Sequence, residues 1–179
     1  MKIRPCCVWE DWHVSKTLVR SLFFIAEVLC DGVLLIALAF TFAVRLSAVQ
    51  GESMLPTLEH GQWMVFAALP VQLRHGDIVV VSEDGMQLNT HVVKRVIGLP
   101  GDVIDIDTAA GVVIRNGQAL HEPGLDAINT RGDMDSPVVV PLGAVFLLGD
   151  NRNHSMDSRH DIIGLVDQRF VIGRVLIPS

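Results

Sequence analysis

The stretch His91-Val92-Val93-Lys94-Arg95-Val96-Ile97-Gly98-Leu99-Pro100-Gly101-Asp102 reads as a β-strand running into a turn. Its first half is rich in β-branched residues, and Gly98, Pro100 and Gly101 punctuate its end. With a period of two, Lys94 shares a face with Val92 and Val96, while Val93, Arg95 and Ile97 share the other. A charged lysine on an apolar face is costly. Burial lowers an ammonium pKa from about 10.4 by up to 3–5 units, and the neutral amine can take a proton from a hydroxyl. Lys94 is also the only lysine after residue 16. The bland alternative, a stem along apolar surface with its head in water, is the commoner state of a lone strand lysine and stays open here.

Outward from this strand the pattern repeats. Short apolar bursts separated by turn residues predict strands at 62–67, 77–82, 90–97, 103–107, 112–115, 118–120, 138–140, 144–148 and 170–177. Asn116-Gly117 between two of them is a type I′ hairpin signal, because both central residues need positive φ. Residues 123–137, rich in Gly, Asp and Asn, read as a long surface loop. The fold class expected is mainly β.

The amino-terminal part differs. Half of the 179 residues are hydrophobic, and the excess concentrates in 22–44, a run that as a helix reaches about 35 Å, enough to cross a hydrocarbon core of about 30 Å. One membrane helix is therefore expected, after a segment 1–21 and before an outer domain 46–179. Glu27 and Asp31 lie four apart on one face in the first half of the run. They sit near the interface, are protonated, or face a partner helix, and the sequence does not choose. A cleaved leader fits less well, since the region before the run is long and Leu46 spoils a small-x-small site ending at Ala48. Lys2, Arg4, Lys16 and Arg20 precede the run and Arg45 follows it, which favours a cytoplasmic amino terminus.

The outer residues 46–179 carry 16 Asp/Glu against 9 Lys/Arg, which argues against nucleic acid as a partner. All three cysteines, Cys6, Cys7 and Cys30, precede this part, so no disulfide is expected there. Cys6 and Cys7 have no ligand cluster around them that would mark a metal site.

Two further segments carry chemistry. In Gly51-Glu52-Ser53-Met54-Leu55-Pro56-Thr57-Leu58, Gly51 lets backbone approach the serine hydroxyl and Pro56 stiffens the exit. Taken alone, the segment is equally a turn serine capping its own backbone. Gly149-Asp150-Asn151-Arg152-Asn153-His154-Ser155-Met156-Asp157-Ser158-Arg159 is a dense polar loop directly after the apolar 145–148. It is either a solvated loop or a hydrogen-bonded scaffold for a site.

These three segments, in this order, resemble the bacterial type I signal peptidases over roughly residues 47–176, most closely the short Gram-positive forms. The resemblance implies an antiparallel-sheet catalytic domain and a serine endopeptidase. That enzyme would sit in the bacterial cytoplasmic membrane, single-pass with its catalytic domain outside, and remove signal peptides from exported preproteins after small-x-small sites without any cofactor or metal. It implies Ser53 as nucleophile and Lys94 as general base. Ser155 would orient the amine, and Asp157 would brace the site through ion pairs with Arg95 and Arg159. Ser53 N–H would hold the oxyanion; where some relatives add a serine hydroxyl two positions earlier, Gly51 stands here, leaving a backbone N–H or water. Substrate would add as an extended strand, with Val49, Met54, Leu58 and Val93 lining its pockets.

Three rivals fit less well. A Ser-His-Asp hydrolase has His91, His154 and His160 to draw on, but Leu55 breaks the Gly-x-Ser-x-Gly elbow. A self-cleaving repressor needs a helix-turn-helix module that 20 residues cannot hold. A non-catalytic peptide-binding domain leaves the serine, the lysine and the polar loop without a reason.

Overall fold

The computed structural model describes residues 16–68, 72–82, 91–134 and 137–178. Residues 1–15, with Cys6, Cys7 and most of the expected amino-terminal segment, lie outside the described residues, as does Thr90 of the expected strand. The chain divides into two compact units, the boundary falling between Ala39 and Phe40.

Helix α1 (Lys16–Ala43, 28 residues) already covers the six residues before the expected run, since nothing between Lys16 and Leu22 breaks a helix. Within it Leu18–Leu38, 21 residues of mean hydropathy 2.2, is long and apolar enough to span a bilayer, and none of it is buried. Glu27 falls just before the middle of this window, still in its first half as expected, and Asp31 just after it.

Val44, expected as the last residue of the helix, opens a strand instead. β1 (Val44–Ala48) pairs antiparallel with β2 (Trp63–Ala67), Val44 opposite Ala67 and Ala48 opposite Trp63. The adjoining apolar run hides this short strand from a periodicity reading. Then follow β3 (Ile78–Val81), β4 (Val92–Gly98), β5 (Val103–Asp107), β6 (Val112–Arg115), β7 (Gln118–Ala119), β8 (Val138–Val139), β9 (Ala144–Leu148), β10 (Val166–Asp167) and β11 (Val171–Pro178), with a 3₁₀ turn at Gln168–Phe170. They form a seven-stranded sheet, β1-β2-β11-β3-β4-β9-β10, and a four-stranded sheet, β7-β6-β5-β8. Every described pairing is antiparallel. The mainly antiparallel β fold is as expected, and so is the hairpin at Asn116 (φ 53°) and Gly117 (φ 77°).

The alternation of β9 explains its unbroken apolar sequence. Val145 and Leu147 enter one buried cluster with Val79, Val81 and Val96. Phe146 and Leu148 enter another with Ile97, Ile104, Ile106 and Val113, which joins the two sheets. A strand buried on both faces has no polar side to show. Gly98 marks the crossing, because a Cβ there would lie 2.9 Å from Ile104 Cγ1 and 3.0 Å from Val140 Cγ2.

Candidate active site

Lys94 lies on β4, whereas Ser53 lies in the turn that follows β1, and β2, β11 and β3 separate β1 from β4. What carries the serine across is hydrophobic. The connection from β1 to β2 folds Val49, Met54 and Leu58 into a buried cluster with Val80 of β3, and Val93 of β4 packs against it. The base of the loop is tied where Val49 N donates to Gln62 O and Gly61 N to Val49 O, both at 2.9 Å. The four residues expected to line substrate pockets thus meet in one place. Val49, Met54 and Leu58 are closed to solvent, however, and only Val93 is partly open.

Lys94 is 3% exposed and its Nζ donates to Ser53 Oγ at 2.7 Å. Burial lowers its pKa from 10.5 to about 8; the Arg159 guanidinium pushes the same way, while Asp157 and Asp150 oppose. At pH 7 a pKa of 8 leaves about one amine in ten neutral, against fewer than about one in a thousand at the ordinary value. The neutral amine is the form whose lone pair can accept the serine proton. The hydrogen bond described at Ser53 Oγ comes from Lys94 and from none of the three imidazoles considered: His91 and His154 are exposed, and His160 lies beside Asp133.

The polar loop that leaves β9 proves to be a scaffold rather than a solvated loop. Asp157, fully buried, accepts from Arg159 Nε at 2.7 Å and Nη2 at 2.9 Å, and from Gly149 N at 3.0 Å. Arg95 does not join this pair. Its Nε donates to Asp150 Oδ1 at 2.7 Å and its Nη1 to Gly76 O at 2.9 Å, because alternation turns Arg95 to the opposite face of β4 from Lys94. Asp150 also accepts from Thr57 Oγ1, which ties the serine loop to β4. Ser155 Oγ is buried and has no hydrogen-bond partner among the described residues, so the expected contact from this hydroxyl to the Lys94 amine is not made.

Gly149 and Asn151 are the contacts sequence reasoning missed. A Cβ on Gly149 would lie 2.1 Å from Ser155 Oγ and 2.4 Å from Ser53 O. Asn151 N donates to Ser53 O at 3.0 Å and Asn151 Nδ2 to Glu52 O at 3.1 Å. At Gly51, by contrast, a Cβ would meet open space. Glycine is needed there for its φ of 86° and not for close approach. Its N–H donates to His60 Nδ1 at 3.0 Å, so of the two expected oxyanion donors only Ser53 N–H is without an acceptor among the described residues. No group of three or more His, Cys, Asp or Glu positioned to hold a metal occurs among the described residues.

Residues 21–179 match the family model described as signal peptidase, peptidase S26. The chain belongs to the signal peptidase family. It is 36% identical to signal peptidase I of Bacillus licheniformis over 166 residues, 86% of each chain. To signal peptidase I S of Bacillus subtilis (strain 168) it is 35% identical over 174 residues, 90% of this chain and 89% of that one. A signal peptidase I of Leptolyngbya laminosa is 35% identical over 147 residues, 76% of this chain. The signal peptidase described here is thus a serine endopeptidase, and its apolar amino-terminal helix is consistent with membrane anchoring.

Proposed function

We propose that this signal peptidase removes amino-terminal signal peptides from exported preproteins, cutting after small-x-small sites with Ser53 as nucleophile and Lys94 as general base. The observation that carries the reading is the 2.7 Å contact between Nζ and Oγ on an amine 3% exposed. The neutral amine takes the Ser53 proton as Oγ attacks the scissile carbonyl carbon. The oxyanion accepts from Ser53 N–H. The ammonium then gives its proton to the leaving nitrogen, the C–N bond breaks, and the mature chain departs with a free amino terminus. Water, deprotonated by the same amine, attacks the ester, and Oγ recovers a proton as the signal peptide leaves with a new carboxylate.

Asp157 with Arg159, and Asp150 with Arg95 and Thr57, hold the polar loop and the serine loop in this arrangement. In this reading residues 1–21 are cytoplasmic, the following helix spans the bacterial cytoplasmic membrane once, and the domain from 46 onward is extracytoplasmic. Substrate then meets the enzyme while still tethered by its own apolar segment, and adds as a strand beside Val93.

Cleavage of a preprotein with an Ala-x-Ala site tests the reading. Ser53→Ala and Lys94→Met each abolish cutting, and Lys94→Arg does too, since a guanidinium stays protonated. Near-normal cutting by Lys94→Met would remove the dyad.

A further inference from the structure

The backbone that presents Ser53 is held from two sides. On its carbonyl side Asn151 grips Glu52 O and Ser53 O. On its amide side the grip comes from His60, whose Nδ1 accepts from Gly51 N at 3.0 Å. His60 immediately precedes Gly61, the residue whose N–H ties the returning limb of the loop to Val49. The imidazole therefore reaches from the foot of the loop to its outgoing limb. Gly51 has no side chain, a φ of 86° and nothing within 4 Å of where a Cβ would stand. Packing does not fix it, and the bond to His60 is the only hydrogen bond described on its amide. A glycine is the link with the widest choice of backbone conformation, so whatever fixes Gly51 also fixes the direction in which Glu52 and Ser53 leave it.

We infer that His60 is a positioning residue for the nucleophile. Its imidazole, with the proton on Nε2 so that Nδ1 can accept, holds the Gln50–Gly51 peptide and through it the placement of Ser53 Oγ against Lys94 Nζ. This rests on the reading of Ser53 as nucleophile. No hydrogen bond described joins His60 to the serine hydroxyl or the lysine amine, so in this inference it acts through the backbone alone.

The test measures kcat and KM for preprotein cleavage by the full chain carrying His60→Ala, His60→Asn or His60→Lys, with Ser53→Ala alongside. Asparagine carries its Oδ1 on Cγ, as histidine carries Nδ1, and restores an acceptor at the same place; lysine offers only donors. Loss of one neutral hydrogen bond corresponds to a fall in kcat of about fivefold to tenfold for His60→Ala. KM is expected to stay within about twofold, with recovery in His60→Asn and none in His60→Lys. His60 is exposed, so all three variants should melt with the parent, and a common Tm ties the difference to placement. A parental kcat in His60→Ala, an asparagine variant as slow as the alanine one, or a change in KM alone overturns the inference. Retained cutting by Ser53→Ala would instead remove the nucleophile reading beneath it.

Discussion

At the scale of single residues, the site depends on one amine kept dry and one glycine kept bare. Because burial lowers Lys94 to a pKa of about 8, the amine is mostly protonated below that pH and mostly neutral above it. The protonated form cannot accept the serine proton, so kcat/KM should fall about tenfold per pH unit below 8 and level off above it. A pH–rate profile flat between 6 and 9 would contradict this. Gly149→Ala should lower kcat by at least about tenfold, because its methyl group would occupy the space of Ser53 O and Ser155 Oγ and displace the serine from the amine. A cleavage assay on folded variant protein checks it. The residues that were legible in advance were those whose chemical type is unusual in its setting, such as a lysine on an apolar face. Asp150 and Asn151 stood in plain view in the same loop as Asp157. Which of two neighbouring aspartates meets Arg95 depends on the strand face, and a loop sequence does not record the path that decides it.

At the scale of elements, β4 and β9 hold the site. β4 supplies Lys94 and Arg95 on opposite faces, and β9, paired beside it with Arg95 opposite Leu148, delivers the polar loop. Leu147, fully buried in a cluster with Val79 and Val96, should cost about 2–5 kcal/mol on truncation to alanine, measured by denaturant unfolding. β4 was legible because a β-branched run ending in glycine and proline has few other readings, and β9 because its short apolar burst stands between Gly143 and Gly149. β1 and β10 were not. β1 is continuous with the apolar helix, and β10 is a two-residue strand, Val166–Asp167, that runs into the polar Gln168 and Arg169, without the hairpin signal that marks β7 or the apolar run that marks β8.

At the scale of the whole molecule, the end of the helix and the beginning of the sheet are adjacent in sequence. The helix runs to Ala43 and β1 starts at Val44, so a truncation that spares the sheet must stop before Val44. Removing residues 1–39 should weaken cutting of membrane-inserted preproteins more than cutting of soluble peptides, and equal losses on both would argue against anchoring as a means of presenting substrate. The complete fold is also what dries the amine. Unfolded, Lys94 returns to about 10.4, so between pH 8 and that value the unfolded chain binds more protons and stability rises with pH. Lys94→Met should abolish that rise. The most direct measurement follows from the composition, because the chain has three lysines, Lys2, Lys16 and Lys94. Selectively labelled lysine amines, followed by NMR through a pH titration of the folded protein, should give one signal with a midpoint near 8 that is missing in Lys94→Met. Three signals all titrating near the ordinary lysine value would contradict a proton-accepting Lys94.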